Sequence, residues 1–134
     1  IIKGLVRIHQ YTVMSAPTMS QFGALEALKL GEPYLQDMLK EYNRRRVMIH
    51  QGLNDLGLPT FEPHGAFYAF PSIHNTGLTD ETFAEKLLLE EKVAVVPGSA
   101  FGAAGTGFLR LSYATNYELI EQALERIGHF LKRI

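Results

Sequence analysis

The feature that most constrains the fold is a long run of apolar residues at helical spacing in the first half of the chain. Between Pro33 and Gly57, apolar residues recur every three or four positions, which predicts one amphipathic helix of about six turns. Its apolar residues are Leu35, Met38, Leu39, Tyr42, Ile49, Leu53 and Leu56. Pro33 suits the first turn of a helix and Gly57 suits its end. The rest of the sequence is therefore interpreted around one long helix.

Three short strands are predicted after this helix. The segments Ala66 to Phe70 and Val93 to Val96 are rich in aromatic or β-branched residues, and each is followed by a proline. The third segment, "GFLRLSYA" from Gly107 to Ala114, alternates with a period of two and places Arg110 on the face opposite its leucines. A single arginine at the centre of such a strand has two interpretations. It is an ordinary side chain on a solvated face, or it is a site for an anion.

Further helices are predicted at the start of the chain, after Thr18, near Thr79 and at the end. Thr18 with Gln21, and Thr115 with Glu118, have the spacing of capping boxes. This order of elements predicts an α/β two-layer sandwich, with a small mixed or antiparallel sheet of three or four strands and helices on one face. Residues 1–31 lack strands to pack against, so we expect them to belong to the end of a larger domain that is absent here. Residues 32–134 are expected to form a smaller domain.

Composition excludes several classes of function. Lys and Arg total 13 against 14 for Asp and Glu, and the net charge of -1 gives no electrostatic case for binding nucleic acid or an anionic membrane. No apolar stretch approaches the roughly 20 residues of a membrane span. The absence of cysteine excludes thiolate chemistry and disulfides and fits a reducing compartment, so a cytoplasmic location is expected. The histidines fall at no metal-ligand spacing, so no metal site is predicted; they are His9, His50, His64, His74 and His129.

The segment "PGSAFGAAGTG" offers two further chemistries that the sequence argues against. Ser99 has a superficial likeness to the nucleophile of a hydrolase, but Pro97 stands where the required glycine would be. The glycines could form a phosphate nest, but a strand follows them where a helix is needed. A flexible loop is the commoner meaning of such a segment.

Four motifs in series resemble the C-terminal part of class I/II aminotransferases, the fold-type I pyridoxal-phosphate enzymes related to aspartate aminotransferase. The motifs are "SAPTMSQFGALEAL", "GAFYAFP", "VAVVPGSAFG" and "GFLRLSYA", and the resemblance covers essentially the whole chain. The resemblance implies an enzyme that transfers an amino group between an amino acid and a 2-oxo acid. It also implies a homodimer that uses pyridoxal 5'-phosphate.

The resemblance implies roles for individual residues. Arg110 matches the family's arginine that clamps the α-carboxylate of the substrate, and a planar guanidinium suits this role because it offers two parallel donors. Ser99 and Phe101 are expected near the substrate entrance. Phe67 and Tyr68 are expected to line the site, although core packing is the alternative for at least one of them.

Ser15 matches a family segment near the dimer interface, close to the partner subunit's cofactor phosphate. It is therefore a candidate for cofactor binding, and a turn at the start of a helix is the alternative. The family's Schiff-base lysine lies upstream of the segment that matches "IIKGLVRIHQ", and no lysine of this chain matches it. We therefore expect the chain to be a piece of the enzyme that is inactive by itself.

Two alternatives to a transaminase remain open. One is a non-catalytic fragment that serves for dimerisation or carboxylate binding. The other is a pyridoxal-phosphate-dependent lyase of the same fold, because β-elimination and decarboxylation often use the same carboxylate clamp. Side-chain specificity is also open, since dicarboxylate, aromatic and alanine-type substrates all fit the residues present.

Mixing the 134-residue chain with pyridoxal phosphate should produce no absorbance band of a lysine-bound cofactor, because no lysine matches the family's position. A spectrophotometric titration checks this prediction. A saturable, stoichiometric band would contradict it.

Overall fold

Five helices and three short strands follow one another in the order that the sequence predicts. A computed structural model describes residues 1–134. The elements are α1 (Ile2–Thr12), α2 (Thr18–Leu30), α3 (Glu32–Asp55), β1 (Tyr68–Ala69), α4 (Asp80–Glu91), β2 (Val96–Pro97), β3 (Leu109–Ser112) and α5 (Tyr117–Leu131). Short 3-10 turns occupy His74–Thr76, Gly98–Phe101 and Ala103–Gly105. None of the helices combines the length and the apolar character that a membrane crossing requires.

The chain divides into two compact units, Ile1–Leu39 and Lys40–Ile134, and the division falls within α3. In the first unit no residue is buried. Leu5 and Ile8, which share the predicted apolar face of α1, are 60% and 67% exposed. The assignment of residues 1–31 to a larger domain stays a prediction.

The second unit contains a three-stranded antiparallel sheet with β3 in the middle. On one side of β3, Tyr68 lies opposite Ser112. On the other side, Val96 lies opposite Arg110. The predicted α/β class with a small sheet is therefore confirmed, and the sheet is wholly antiparallel.

All three strands are shorter than the sequence predicts, and of residues 107–114 β3 contains only Leu109–Ser112. Of residues 66–70, only Tyr68 and Ala69 pair with β3, and of residues 93–96 only Val96 does. Aromatic and β-branched residues favour a half-buried extended segment. The extent of a strand also depends on a neighbour that lies in register, and a single segment carries no information about that neighbour.

Neither predicted capping box forms. The N-cap of α2 is Pro17 instead of Thr18. The side chain of Gln21 donates a hydrogen bond of 2.8 Å to the backbone carbonyl of Ala16, which precedes the helix. The N-cap of α5 is Asn116 instead of Thr115, and no side chain caps it. A shift of one residue at a helix start is enough to break the capping geometry, because the box requires a fixed spacing from the N-cap.

The hydrophobic core of the second unit lies between the sheet and the helices that cover it. α3 contributes Ile49 and Leu53, as its apolar spacing predicts, and these residues are 3% and 0% exposed. Phe83 of α4 and Phe130 of α5 are both fully buried, with ring centroids 5.0 Å apart in an edge-to-face arrangement. Aromatic pairs of this kind contribute beyond the area they bury.

Phe83→Ala should lower the free energy of unfolding by about 3 to 5 kcal/mol, because it leaves a cavity beside Phe130. Urea denaturation followed by circular dichroism measures the change. The matched control is Leu89→Ala on the same helix, where the residue is 62% exposed and the expected change is within about 0.5 kcal/mol. Equal losses in the two variants would show that Phe83 is not part of the core.

Candidate functional site

Arg110 lies in β3 on the face opposite the core. Its neighbours Leu109 and Leu111 are 1% and 7% exposed, whereas Arg110 is half-buried. The alternation of side chains along a strand produces this difference, because the leucines and the arginine point to opposite faces of the sheet. The face predicted for Arg110 is therefore confirmed.

Two aromatic rings flank the guanidinium of Arg110. Its central carbon Cζ lies 4.5 Å from the ring centroid of Tyr68 and 4.6 Å from that of Phe101. Both distances are within the roughly 6 Å at which a ring face attracts a cation. Tyr68 reaches this position because it lies opposite Ser112, two residues along β3 from Arg110, which makes it a diagonal neighbour on the same face.

The charge of Arg110 is not neutralised by this chain. Arg46 pairs with Glu62 at 2.6 Å and Arg133 pairs with Glu91 at 2.6 Å, but Arg110 makes neither an ion pair nor a hydrogen bond. None of its nitrogen atoms is buried without a partner, so its donors face solvent. The rings therefore hold the guanidinium without occupying its N–H groups, and a carboxylate can accept two of these groups at once.

A buried tyrosine holds the segment that leads into β1. The hydroxyl of Tyr113 donates to the backbone carbonyl of Ala66 at 2.8 Å, and its backbone N–H donates to that of Phe67 at 2.9 Å. Ala66 has a φ of 55°, a left-handed conformation that is uncommon outside glycine. The ring of Phe67 packs on that of Tyr68 with centroids 4.7 Å apart. Tyr113 thus holds the backbone that leads to Tyr68, the first of the two rings that pack on Arg110.

The second ring, Phe101, is carried by the 3-10 turn Gly98–Phe101. Asp80 of α4 accepts a hydrogen bond from the backbone N–H of Ser99 in this turn at 2.8 Å. Hydrogen bonds from the side chain and then the backbone of Ser99 hold the pKa of Asp80 below its ordinary value, against the opposing effect of burial. Asp80 is therefore a buried, ionised anchor for the turn.

Two glycines close the base of the loop that contains this turn. The N–H of Gly98 donates to the carbonyl of Phe108 at 2.8 Å. A Cβ atom on Gly98 would collide with the carbonyl oxygen of Gly105, and a Cβ atom on Gly105 would collide with that of Gly98. Only glycine fits at these two positions, because the backbones approach each other so closely.

The structure brings part of the predicted site together. Tyr68 contacts Arg110 directly, and Phe67 contacts Tyr68. The contacts of Ser99 are with Asp80. Ser15 lies in the first unit, where it is exposed.

The sequence does not by itself predict the link between Asp80 and the turn, because Asp80 and Glu81 are both acidic residues in the first turn of a helix, where they complement its dipole. One signal distinguishes the two. Asp80 precedes the buried residues Phe83 and Ala84 by three and four positions and so lies on their face of α4. A carboxylate on a buried face needs a polar partner.

Comparisons with known proteins show the family of the chain. The family described as aminotransferase class I and II matches residues 1–127. A putative aminotransferase, YugH, of Bacillus subtilis is 52% identical over 129 residues, which are 96% of this chain and 33% of that protein. An aspartate aminotransferase of Pyrococcus abyssi is 47% identical over 134 residues, which are 98% of this chain and 34% of that protein.

A solved structure shows the same fold. The crystal structure of an aromatic aminotransferase from Pyrococcus horikoshii superposes with a TM-score of 0.90 at 48% identity, covering 98% of this chain and 36% of that one. Sequence and fold together thus define an α/β chain of aminotransferase type, which confirms the resemblance of its four motifs. The chain belongs to the aminotransferase class I and II family, and it spans about a third of the length of the relatives it matches.

This family implies pyridoxal phosphate, but the residues present do not form a complete site for it. Every lysine lies on a helix or directly after one; they are Lys3, Lys29, Lys40, Lys86, Lys92 and Lys132. Arg110, in contrast, lies in the middle strand of the sheet.

Tyr113→Phe should destabilise the chain by about 1 kcal/mol, because it removes the hydroxyl that donates to Ala66. Burial raises the pKa of Tyr113 above 10.0. The folded state thus binds this proton more tightly than the unfolded state, and the associated stability is present below pH 10.0 and is lost as the pH rises through the folded-state pKa.

The free energy of unfolding in urea, measured at about pH 8 and about pH 11, checks both parts of this prediction. The alkaline loss of stability should be smaller in Tyr113→Phe than in the unmodified chain. Tyr34→Phe, at a position that is 79% exposed, is the matched control and should keep the original profile. An unchanged alkaline loss in Tyr113→Phe would refute the linkage.

Proposed function

We propose that this chain supplies the carboxylate-binding part of an aminotransferase that transfers an amino group between an amino acid and a 2-oxo acid. In this proposal Arg110 binds the α-carboxylate of the substrate. The observation that carries it is a guanidinium held between two rings with no anionic partner of its own. Membership of the aminotransferase family supports the type of reaction.

The arrangement of Arg110 suits a carboxylate for two physical reasons. A guanidinium donates two parallel N–H groups to the two oxygens of a carboxylate, which fixes the orientation of the bound group as well as its position. The half-buried location also strengthens the attraction, because the effective dielectric constant there is lower than in bulk water. Fixing the orientation of the substrate lowers the entropic part of the reaction barrier.

Tyr68 and Phe67 are proposed to line the same site. Tyr68 packs on Arg110, and Phe67, which is 39% exposed, packs on Tyr68. Ser99 is proposed to act at the entrance through the turn that carries Phe101. Apolar rings around one charged group are the usual composition of a small-molecule site.

The complete protein is proposed to use pyridoxal 5'-phosphate and to form a homodimer. When bound, this cofactor supplies the electron sink that makes amino-group transfer possible. Ser15 is the candidate of this chain for a contact near the cofactor phosphate of the partner subunit. The support for these points is the family alone.

In the complete protein that contains this chain, Arg110→Ala should raise the KM for the amino acid by about 10²- to 10³-fold, because a desolvated charge pair is lost. Arg110→Lys should restore only part of the affinity, since a point charge does not reproduce the two parallel donors. Cofactor content should not change. Arg126→Ala is the matched control, because Arg126 donates to the backbone carbonyl of Glu91 away from this site.

Steady-state kinetics over a panel of amino acids measures these effects, and absorbance after gel filtration measures the retained cofactor. Equal losses of turnover and of cofactor in Arg110→Ala would identify a structural arginine. A full rescue by lysine would exclude the bidentate geometry.

A further inference from the structure

Asp80 is a charged residue in an unusual position. It is 3% exposed, and Asp80 and Thr60 are the polar residues that the chain buries most completely. Burial of a carboxylate is unfavourable unless hydrogen bonds replace its hydration. The partners of Asp80 therefore show what the carboxylate holds in place.

These partners belong to the two ends of one loop. The backbone N–H of Ser99 donates to Asp80 at 2.8 Å. The side chain of Ser99 and the backbone of Gly107 also help to lower the pKa of this carboxyl, and Asp80, Ser99 and Gly107 line one small cavity. The carboxylate on α4 thus lies against both the turn that follows β2 and Gly107, two residues before β3.

Both ends of the loop lie close to Arg110 or to its ring neighbour along the chain. Phe101 is two residues after Ser99, and its ring lies 4.6 Å from the guanidinium carbon. Arg110 itself is three residues after Gly107. Phe101 is 51% exposed and is not part of the core, although its ring contacts that of Phe70 at 6.1 Å between centroids. The anchoring of the turn therefore contributes to where the ring lies.

We propose that Asp80 is a positioning residue for Arg110: its carboxylate holds the Gly98–Phe101 turn, and the turn places the Phe101 ring on the guanidinium. This inference rests on the proposed role of Arg110 in binding the substrate carboxylate. Asp80 acts only through other residues and does not contact the substrate.

The neighbouring residue Glu81 provides a matched control. Both residues lie in the first turn of α4, and both favour the helix through its dipole. Glu81 is exposed, whereas Asp80 is buried against the turn. Asp80→Asn and Glu81→Gln therefore remove the same charge from the same helix end, but only the first replaces an acceptor oxygen that faces N–H donors.

The test measures kcat/KM for the best amino acid substrate of the complete protein. Each variant is made in two backgrounds, one with Arg110 and one with Arg110→Ala. Asp80→Asn should lower kcat/KM by about 10-fold, mainly through KM, because a small displacement of a clamp is costly. Glu81→Gln should change it less than about 2-fold. In the Arg110→Ala background, Asp80→Asn should have almost no further effect, because its action passes through Arg110.

Cofactor content and the circular dichroism spectrum check that each variant is folded. Phe101→Ala, which removes the ring that the turn carries and keeps Asp80, tests the same link where Asp80→Asn does not fold, and it should lower kcat/KM about 3-fold. This loss should also disappear in the Arg110→Ala background.

An equal loss in both backgrounds, or the same result for Asp80→Asn and Glu81→Gln, overturns the positioning role. If Arg110→Ala loses activity and Asp80→Asn does not, the role of Asp80 fails and the proposed function stands. If Arg110→Ala keeps full kcat/KM, the proposed function fails, and the role of Asp80 fails with it.

Discussion

The pairing of β3 with antiparallel neighbours on both edges is the constraint on which the second unit depends. Its register places Val96 opposite Arg110 and Tyr68 opposite Ser112. Because successive side chains alternate, this register puts Leu109 and Leu111 in the core and the arginine on the other face. A slip of one residue would exchange the two faces and place a charge in the core. The stability of the core and the geometry of the site are therefore set by the same hydrogen bonds.

The surroundings of Arg110 differ from those of the arginines that form ion pairs. Arg44 and Arg45 both pair with Glu41 within one turn of α3, and each also lies over a tyrosine ring. Arg110 is flanked by two rings and has no carboxylate partner. Contact with a ring face restrains the guanidinium but leaves its charge and its donors available, which is what a binding group requires and a structural ion pair does not allow.

Side-chain spacing predicted the helix containing Ile49 and Leu53 and the face occupied by Arg110. The two capping boxes, also local patterns, were wrong because the N-cap of each helix lies one residue away from the predicted one. The other features that the sequence did not predict depend on residues far apart in the chain. Asp80 meets Ser99 across 19 positions, and Tyr113 meets Ala66 across 47. No period along one segment encodes such contacts, and the same is true of the short strands, whose lengths depend on their neighbours.

The contact between Gly98 and Gly105 has a consequence for how the site can evolve. Neither position accepts a side chain. Glycine is therefore required at both ends of this loop, whereas the residues between them are less restricted. Ser99 and Phe101 also lie between the two glycines, but their contacts with Asp80 and Arg110 restrict them. Substitutions at the remaining positions can change the surface beside Arg110 without displacing β2 or β3.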